Sequence, residues 1–252
     1  MKVVCIGSGN VATHLVHAFK ACGAELAQIY SKQMDNAVIL AEKAGALAID
    51  DLQELDLSAD VYLIAVRDDA ISAVVPALKQ VGGLVIHTSG ATDLNVLSGL
   101  KNYGVLYPLQ TFSKGKPVDF KTIPLCIEAG NIAALETLHG IAVQLSPLVY
   151  SVSSAQRKIL HLSAVFACNF VNHLYVLSNE LLVNNGLSFD LLRPLILETA
   201  EKVQTSLPVS VQTGPAIRKD ETTIDQHLKL LEGSPQLQEI YQILSTSIKK
   251  TH

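Results

Sequence analysis

Apolar residues follow two rhythms along this chain. Over the first 150 residues, short apolar runs at 2–6, 25–30, 46–49, 61–66, 84–87, 104–107, 123–127 and 147–151 alternate with stretches of helical period at 10–22, 34–44, 69–80, 92–101 and 131–144. The runs are continuously apolar rather than alternating, as expected of strands covered on both faces. Strand and helix in repeated succession predict an α/β fold, a doubly wound parallel sheet with helices on both sides. From Ser153 onward only helical patterns remain, at 154–184, 188–206, 210–213, 221–232 and 235–250. Two domains are therefore expected, 1–152 around the sheet and 153–252 all helical. The first long helix would span about 45 Å and stop at Asn184-Asn185-Gly186, a left-handed C-cap sequence. Pro194 would start or kink the next. The long helix is apolar on most sides (Ile159, Leu162, Phe166, Phe170, Leu174, Leu181), and such a helix must be buried. The remaining helical residues cannot easily wrap it, which predicts a homodimer through the C-terminal helices.

Composition narrows the function classes. The 252 residues are 49% hydrophobic, 17% charged and 5% aromatic, with no Trp. Disorder needs the opposite balance. A net charge of −4 leaves no basic field for nucleic acid or anionic lipid. No run of about 18 uninterrupted apolar residues occurs, so no membrane span is expected. Ser8, Gly9, Asn10, Thr13 and His14 interrupt any signal-peptide core. Cys5, Cys22, Cys126 and Cys168 form no CxxC pair, and free, buried thiols in a reducing cytoplasm are expected. His161 and His173, twelve residues apart without a nearby carboxylate, make no zinc site, and no metal is expected.

Gly7-Ser8-Gly9-Asn10-Val11-Ala12 follows an apolar run and opens a helix, the context a dinucleotide fingerprint requires. Gly7 would permit the tight turn and Gly9 the close approach of a pyrophosphate, with Ala12 in place of the third glycine. The helix N-terminus would offer N–H groups to the phosphates. About 20 residues on, an acid would hold the ribose 2′-OH of NAD. The strand instead ends Tyr30-Ser31-Lys32-Gln33. Ser31 and Lys32 suit a 2′-phosphate, so NADP(H) is favoured over NAD(H); otherwise Lys32 is a solvated surface charge. Asp35 lies further along and would cap the next helix.

Further motifs carry a resemblance. The GxGNxA start, Ala65-Val66-Arg67-Asp68-Asp69 after the fourth strand and the helical second half resemble the superfamily of pyrroline-5-carboxylate reductase, 6-phosphogluconate and β-hydroxyacid dehydrogenases and deazaflavin-dependent NADP oxidoreductases. His87-Thr88-Ser89-Gly90, Tyr107-Pro108-Leu109-Gln110-Thr111-Phe112 and Thr213-Gly214-Pro215-Ala216-Ile217-Arg218-Lys219-Asp220, followed by His227, are similar to a branch of Rossmann-like proteins with a C-terminal helical domain of unknown function. Two positions depart from the branch pattern. Tyr107 stands where His is expected, and Lys219 stands between Arg218 and Asp220 in place of Gly.

Ligands of open α/β sheets lie outside the carboxyl ends of the strands, which brings Val66, Ser89 and Gly90 toward a nicotinamide. Ser89 would hold a carbonyl or carboxylate, or cap the segment from Ala91, with Thr92 and Asp93 as rival caps. Gln110 would complete the pocket or satisfy its own loop. The resemblance implies that the first long helix faces the nicotinamide, which makes His161 and Asn169 the candidate catalytic residues; as an alternative, neighbouring backbone satisfies them. His161 suits a proton donor because imidazole titrates near neutral pH. Arg218 would fork a substrate carboxylate or phosphate, with Asp220 and His227 beside it; alternatively Asp220 pairs with Arg218 or caps the helix bearing His227. These residues point to an NADP(H)-dependent oxidoreductase acting on a small acidic carbonyl or imine compound. The alternative is a non-catalytic nucleotide-binding sensor or interaction protein, which Tyr107 favours.

Overall fold

The computed structural model describes residues 1–252. Its sheet strands are β1 (Lys2–Ile6), β2 (Glu25–Tyr30), β3 (Leu47–Ile49), β4 (Val61–Ile64), β5 (Leu84–His87), β6 (Tyr103–Pro108), β7 (Leu125–Ala129) and β8 (Val149–Ser151). They form one sheet in the order β3-β2-β1-β4-β5-β6-β7-β8. Both faces are buried, as the continuous apolar runs require. Along β1, Val3 and Cys5 enter the core on one side and Val4 and Ile6 the core on the other. Helices α1 (Asn10–Ala21), α2 (Met34–Ala44), α3 (Ile71–Val74) and α4 (Ile132–Leu145) connect the strands.

The sheet is parallel only as far as β6. β7 pairs antiparallel with β6, and β8 runs parallel to β7. The reason lies in the connection. No crossover helix separates β6 from β7, only a loop with one 3-10 turn at Phe120–Thr122, and a parallel return needs a crossover. β7 begins after Pro124, two residues later than the apolar run suggests, because proline has no N–H for the ladder. Two expected helices are reduced. The 69–80 segment breaks into 3-10 and α turns around Pro76, and 92–101 keeps only the 3-10 turn Leu94–Leu97, capped by Asp93.

The helical part comprises α5 (Ser154–Ala164), α6 (Val171–Asn184), α7 (Arg193–Thr205), α8 (Glu221–Leu230) and α9 (Pro235–Thr251). A π-helical stretch, Val165–Phe170, joins α5 to α6. Gly186 takes φ 71° and Leu187 N–H returns to the Leu182 carbonyl, so the long helix ends where the sequence places its stop. Pro194 sits in the first turn of α7 and starts that helix without kinking it. The chain divides into two compact units, Met1–Asn169 and Phe170–His252. Strands give way to helices at 152/153, but the compact units part further on, inside the helical run. All four cysteines are free; Cys5 and Cys126 are buried, whereas Cys22 and Cys168 are exposed, against expectation. The run Ser154–Asn184 is long and apolar enough, by length and composition, to cross a membrane. A test for an uninterrupted apolar run misses it because Arg157, Lys158 and His161 punctuate its start.

The start of α5 is fixed to the sheet by a buried polar network. Ser153 and Gln156 form a capping box. Arg157 is fully buried, donating to Glu128 Oε2 on β7 at 2.5 Å and to the Thr92 carbonyl at 2.6 Å. Ser154 donates to the same carboxylate from its N–H and hydroxyl at 2.8 and 2.7 Å. Burial pushes the Glu128 carboxyl up, but the hydrogen bonds from Ser154 and Arg157 outweigh it and leave it below its ordinary value. Lys158 reaches Asp93 at 2.9 Å nearer the surface. His87, at the end of β5, is also fully buried; burial, then the Arg157 charge, lowers its imidazole to about 4.

Two consequences are measurable. Arg157→Leu should cost about 3 kcal/mol by guanidinium denaturation, because it removes the countercharge of a carboxylate only 20% exposed, and adding Glu128→Leu should recover part of the loss. His87 is neutral when folded but takes a proton below 6.5 when unfolded. Its contribution is therefore complete above that pH and is lost on acidification toward about 4, a loss on the order of 3 kcal/mol. His87→Leu should flatten the fall in the denaturation midpoint between about pH 7 and 5.

Candidate functional site

Gly7 ends β1 at φ +132°, and a Cβ there would overlap the Ala65 carbonyl, so only glycine makes this turn. Its N–H donates to the Tyr30 carbonyl at 2.9 Å, which ties the loop to the tip of β2. Gly9 is the N-cap of α1 with no side-chain cap, and the space where its Cβ would project is open for 4 Å. The first-turn N–H groups of Asn10, Val11 and Ala12 thus face a cradle suited to a pyrophosphate. Ala12 is fully buried between helix and sheet, filling the role of the third glycine. Asn10 donates to the Phe112 carbonyl at 2.9 Å, and Ser8 is half-buried.

At the tip of β2, the Ser31 hydroxyl accepts the Gln33 N–H at 3.4 Å. Lys32 is exposed and has no carboxylate partner. Asp35 does not cap α2; the N-cap is Gln33, and Asp35 lies in the first turn. Val66 follows β4 and is half-buried.

The second cluster gathers around Gly90. His87 Nδ1 accepts the Ser89 N–H at 3.2 Å. The Ser89 hydroxyl oxygen accepts from Ala91 and Thr92 N–H at 3.1 and 2.9 Å, so Ser89 caps a turn rather than a helix and keeps one O–H to donate. Tyr107, at the end of β6, places its hydroxyl 3.1 Å from His161 Nδ1, with the rings edge to face at 5.9 Å between centroids. A Cβ on Gly90 would lie 2.7 Å from His161 Nδ1 and 2.9 Å from Tyr107 Cζ. Gly90 therefore lets the β5 turn, the β6 tyrosine and the α5 histidine meet. Burial pushes the Tyr107 phenol up to about 12, so it stays protonated at neutral pH. Arg157 lies one turn before His161 on α5, so the buried ion pair sets the angle at which the imidazole reaches Tyr107.

The remaining candidates have surroundings of their own. Asn169 is exposed in the π stretch, where the extra residue per turn shifts the helical phase that counting from His161 assumes. Gln110 turns its carbonyl onto Thr111 N–H at 2.8 Å and serves its own loop. In the second unit, Asp220 caps α8, accepting the Thr223 N–H and hydroxyl at 3.1 and 2.8 Å. Its approach to Arg218 is long, 4.0 Å, and His227 Nδ1 pairs with the Tyr241 hydroxyl at 2.8 Å. Glu128, Arg157 and the role of Tyr107 escaped the sequence reading. For Glu128 and Arg157 the only local signal is a charge next to apolar runs, and for Tyr107 only its departure from the expected histidine.

Residues 2–90 match the family "NADP oxidoreductase coenzyme F420-dependent" and residues 123–248 match "Domain of unknown function (DUF2520)". No protein of curated function matches the sequence. A Bacteroides fragilis protein provisionally named an NADP oxidoreductase is 43% identical, with TM-score 0.94 over 99% of this chain and 98% of that one. A pyrroline-5-carboxylate reductase from Coxiella burnetii (23% identity, TM-score 0.57, 98% and 96% covered) and a Myxococcus stipitatus imine reductase in complex with NADP+ (15%, 0.69, 99% and 93%) share the fold. With a pyrophosphate cradle at its N-terminus and a DUF2520 match over half its length, the chain belongs to the oxidoreductase family that joins a pyridine-nucleotide-binding Rossmann domain to a helical DUF2520 domain.

Proposed function

We propose that the protein is an NADP(H)-dependent oxidoreductase acting on the carbonyl or imine carbon of a small acidic compound. The observation that carries this reading is the hydrogen-bonded pair of Tyr107 and His161 at Gly90, on the strand end where ligands of open α/β sheets lie. Residues 7–12 would hold the pyrophosphate, Ser31 and Lys32 the 2′-phosphate, and Val66, Ser89 and Gly90 would border the nicotinamide. When bound, the dinucleotide supplies or accepts the hydride. The chain's own part is protonic. The protonated Tyr107 hydroxyl donates to His161 Nδ1, which leaves the imidazole proton on Nε2, ready for the oxygen or nitrogen of the reacting group. The Ser89 O–H is a second donor for orienting that group. Arg218, whose side chain is 63% exposed, keeps its fork available for a carboxylate or phosphate.

A homodimer is part of the same proposal. On the helical run and α7, Ile159, Phe166, Val183, Leu195 and Leu197 are each 59–65% exposed within one chain, an apolar area that isolated monomers rarely leave in water. Light scattering should return twice the 27.0 kDa chain mass, and a monomer mass would overturn this part.

Fluorescence titration should show tighter binding of NADPH than of NADH, with Lys32→Ala removing most of the difference. Against a panel of 2-oxoacids and cyclic imines, His161→Ala should lower turnover by about 10²–10⁴-fold with NADPH affinity unchanged. Tyr107→Phe should keep binding and displace the pH–rate profile. NADPH binding without turnover on any compound would favour the non-catalytic sensor, for which Tyr107 in place of histidine is the supporting feature.

A further inference from the structure

A cavity of about 530 Å³ lies in the sheet unit on the flank of α1, between α2 and the loop that leads from β6 to β7. That volume is in the range of small-molecule sites. Its walls include the buried Ala18, Leu40, Phe120 and Leu145. The basic side chains around it are His14, His17, Lys43, Lys114 and Lys121, and Asp119 is the one carboxylate in the lining. This concentration is unusual in a chain of net charge −4.

Of the lysines, Lys121 is used by the fold, its ammonium donating to the Gln144 carbonyl at 2.6 Å; the other two are not. Lys43 and Lys114 have no ion-pair partner. Lys20 already donates to the Lys43 carbonyl at 3.0 Å, so the ammonium of Lys43 is not needed to close the end of α2. Asp119 accepts the Lys121 N–H at 2.9 Å within its own turn. His14 is held inward, donating to the Ser113 carbonyl at 3.0 Å and stacked on Phe112, which fixes the loop over the cavity. Burial, then the charges of His14, Lys43 and Lys20, hold the His17 imidazole below its ordinary value.

We propose that this cavity is a binding site for a small organic anion with an apolar body, the body against Leu40 and Phe120 and the acidic group between Lys43 and Lys114. The site is separate from the dinucleotide cradle, although Ser8 lines one edge of it.

A matched pair of probes tests this: 8-anilinonaphthalene-1-sulfonate and the neutral N-phenyl-1-naphthylamine, which lacks the sulfonate. Both are titrated by fluorescence into the parent protein and into Lys43→Glu/Lys114→Glu, whose exposed positions leave the thermal melt unchanged. The charge reversal should weaken the sulfonate by at least about tenfold, or about 1.4 kcal/mol, while the neutral probe binds both proteins alike. In the parent, the bound sulfonate should raise the His17 titration midpoint followed by NMR, and NADPH should leave its affinity unchanged. The proposal is overturned if the sulfonate does not bind, if the reversal leaves its affinity unaltered, or if both probes weaken together. Displacement of the sulfonate by NADPH would also overturn it by making the cavity part of the nucleotide cleft. None of these results depends on turnover, so failure here is distinguishable from failure of the proposed activity.

Discussion

The buried ion pair between Arg157 and Glu128 is the constraint on which the site depends. A guanidinium with no exposed surface is tolerable only if its charge is met; here a carboxylate on β7 meets the charge and a carbonyl after β5 takes a second terminal N–H, while Nε is left without a partner. The pair therefore specifies more than stability. It dictates that α5 begins over the β5–β7 end of the sheet and fixes its rotation there, because any other rotation would leave Glu128 or Arg157 buried alone. Ser154 adds two further bonds to the same carboxylate and one from Leu94 N–H, joining three separate segments at a single point.

What this anchoring positions is an imidazole. His161 follows Arg157 by one helical turn, and β6 brings Tyr107 from the other side. The two meet only because Gly90 has no side chain to keep them apart. The tyrosine at position 107, where the resemblance implies a histidine, thus gains a physical meaning. The phenol, kept protonated by burial, lies within hydrogen-bond distance of one nitrogen of His161. Across the sheet, the phosphate cradle is built from different means: a glycine that no other residue can replace at position 7, and a helix start left without a side-chain cap at Gly9.

The two units differ in how completely they bury themselves. The sheet unit encloses a core on each face, with the central strands β4 and β5 buried at every residue. The helices beyond it carry large apolar residues in water-facing positions. The same low charge and aliphatic composition therefore yield both a closed α/β core and exposed apolar helix faces.

The sequence by itself determined what depends on neighbouring residues. All eight strands, the cradle at Gly7 and Gly9, the stop at Gly186 and the start of α7 at Pro194 were legible, because each rests on a short pattern or a local backbone requirement. The candidates at the cluster were legible in part. His161, Ser89 and Gly90 were identified singly; of the two readings open for Gln110, its hydrogen bond to Thr111 N–H matches the one in which it serves its own loop, and Asn169 lies exposed in the π stretch. Only the tertiary structure decided the reversed direction of β7 and β8, which follows from the missing crossover helix, and the π stretch that shifts the phase of the long helix after α5. It alone joined Arg157 to Glu128 across 29 residues and Tyr107 to His161 across 54. Such pairings leave no period or spacing in the chain, since they are selected by the cost of burying a charge or a polar ring without a partner, and that cost exists only once the fold has closed around it.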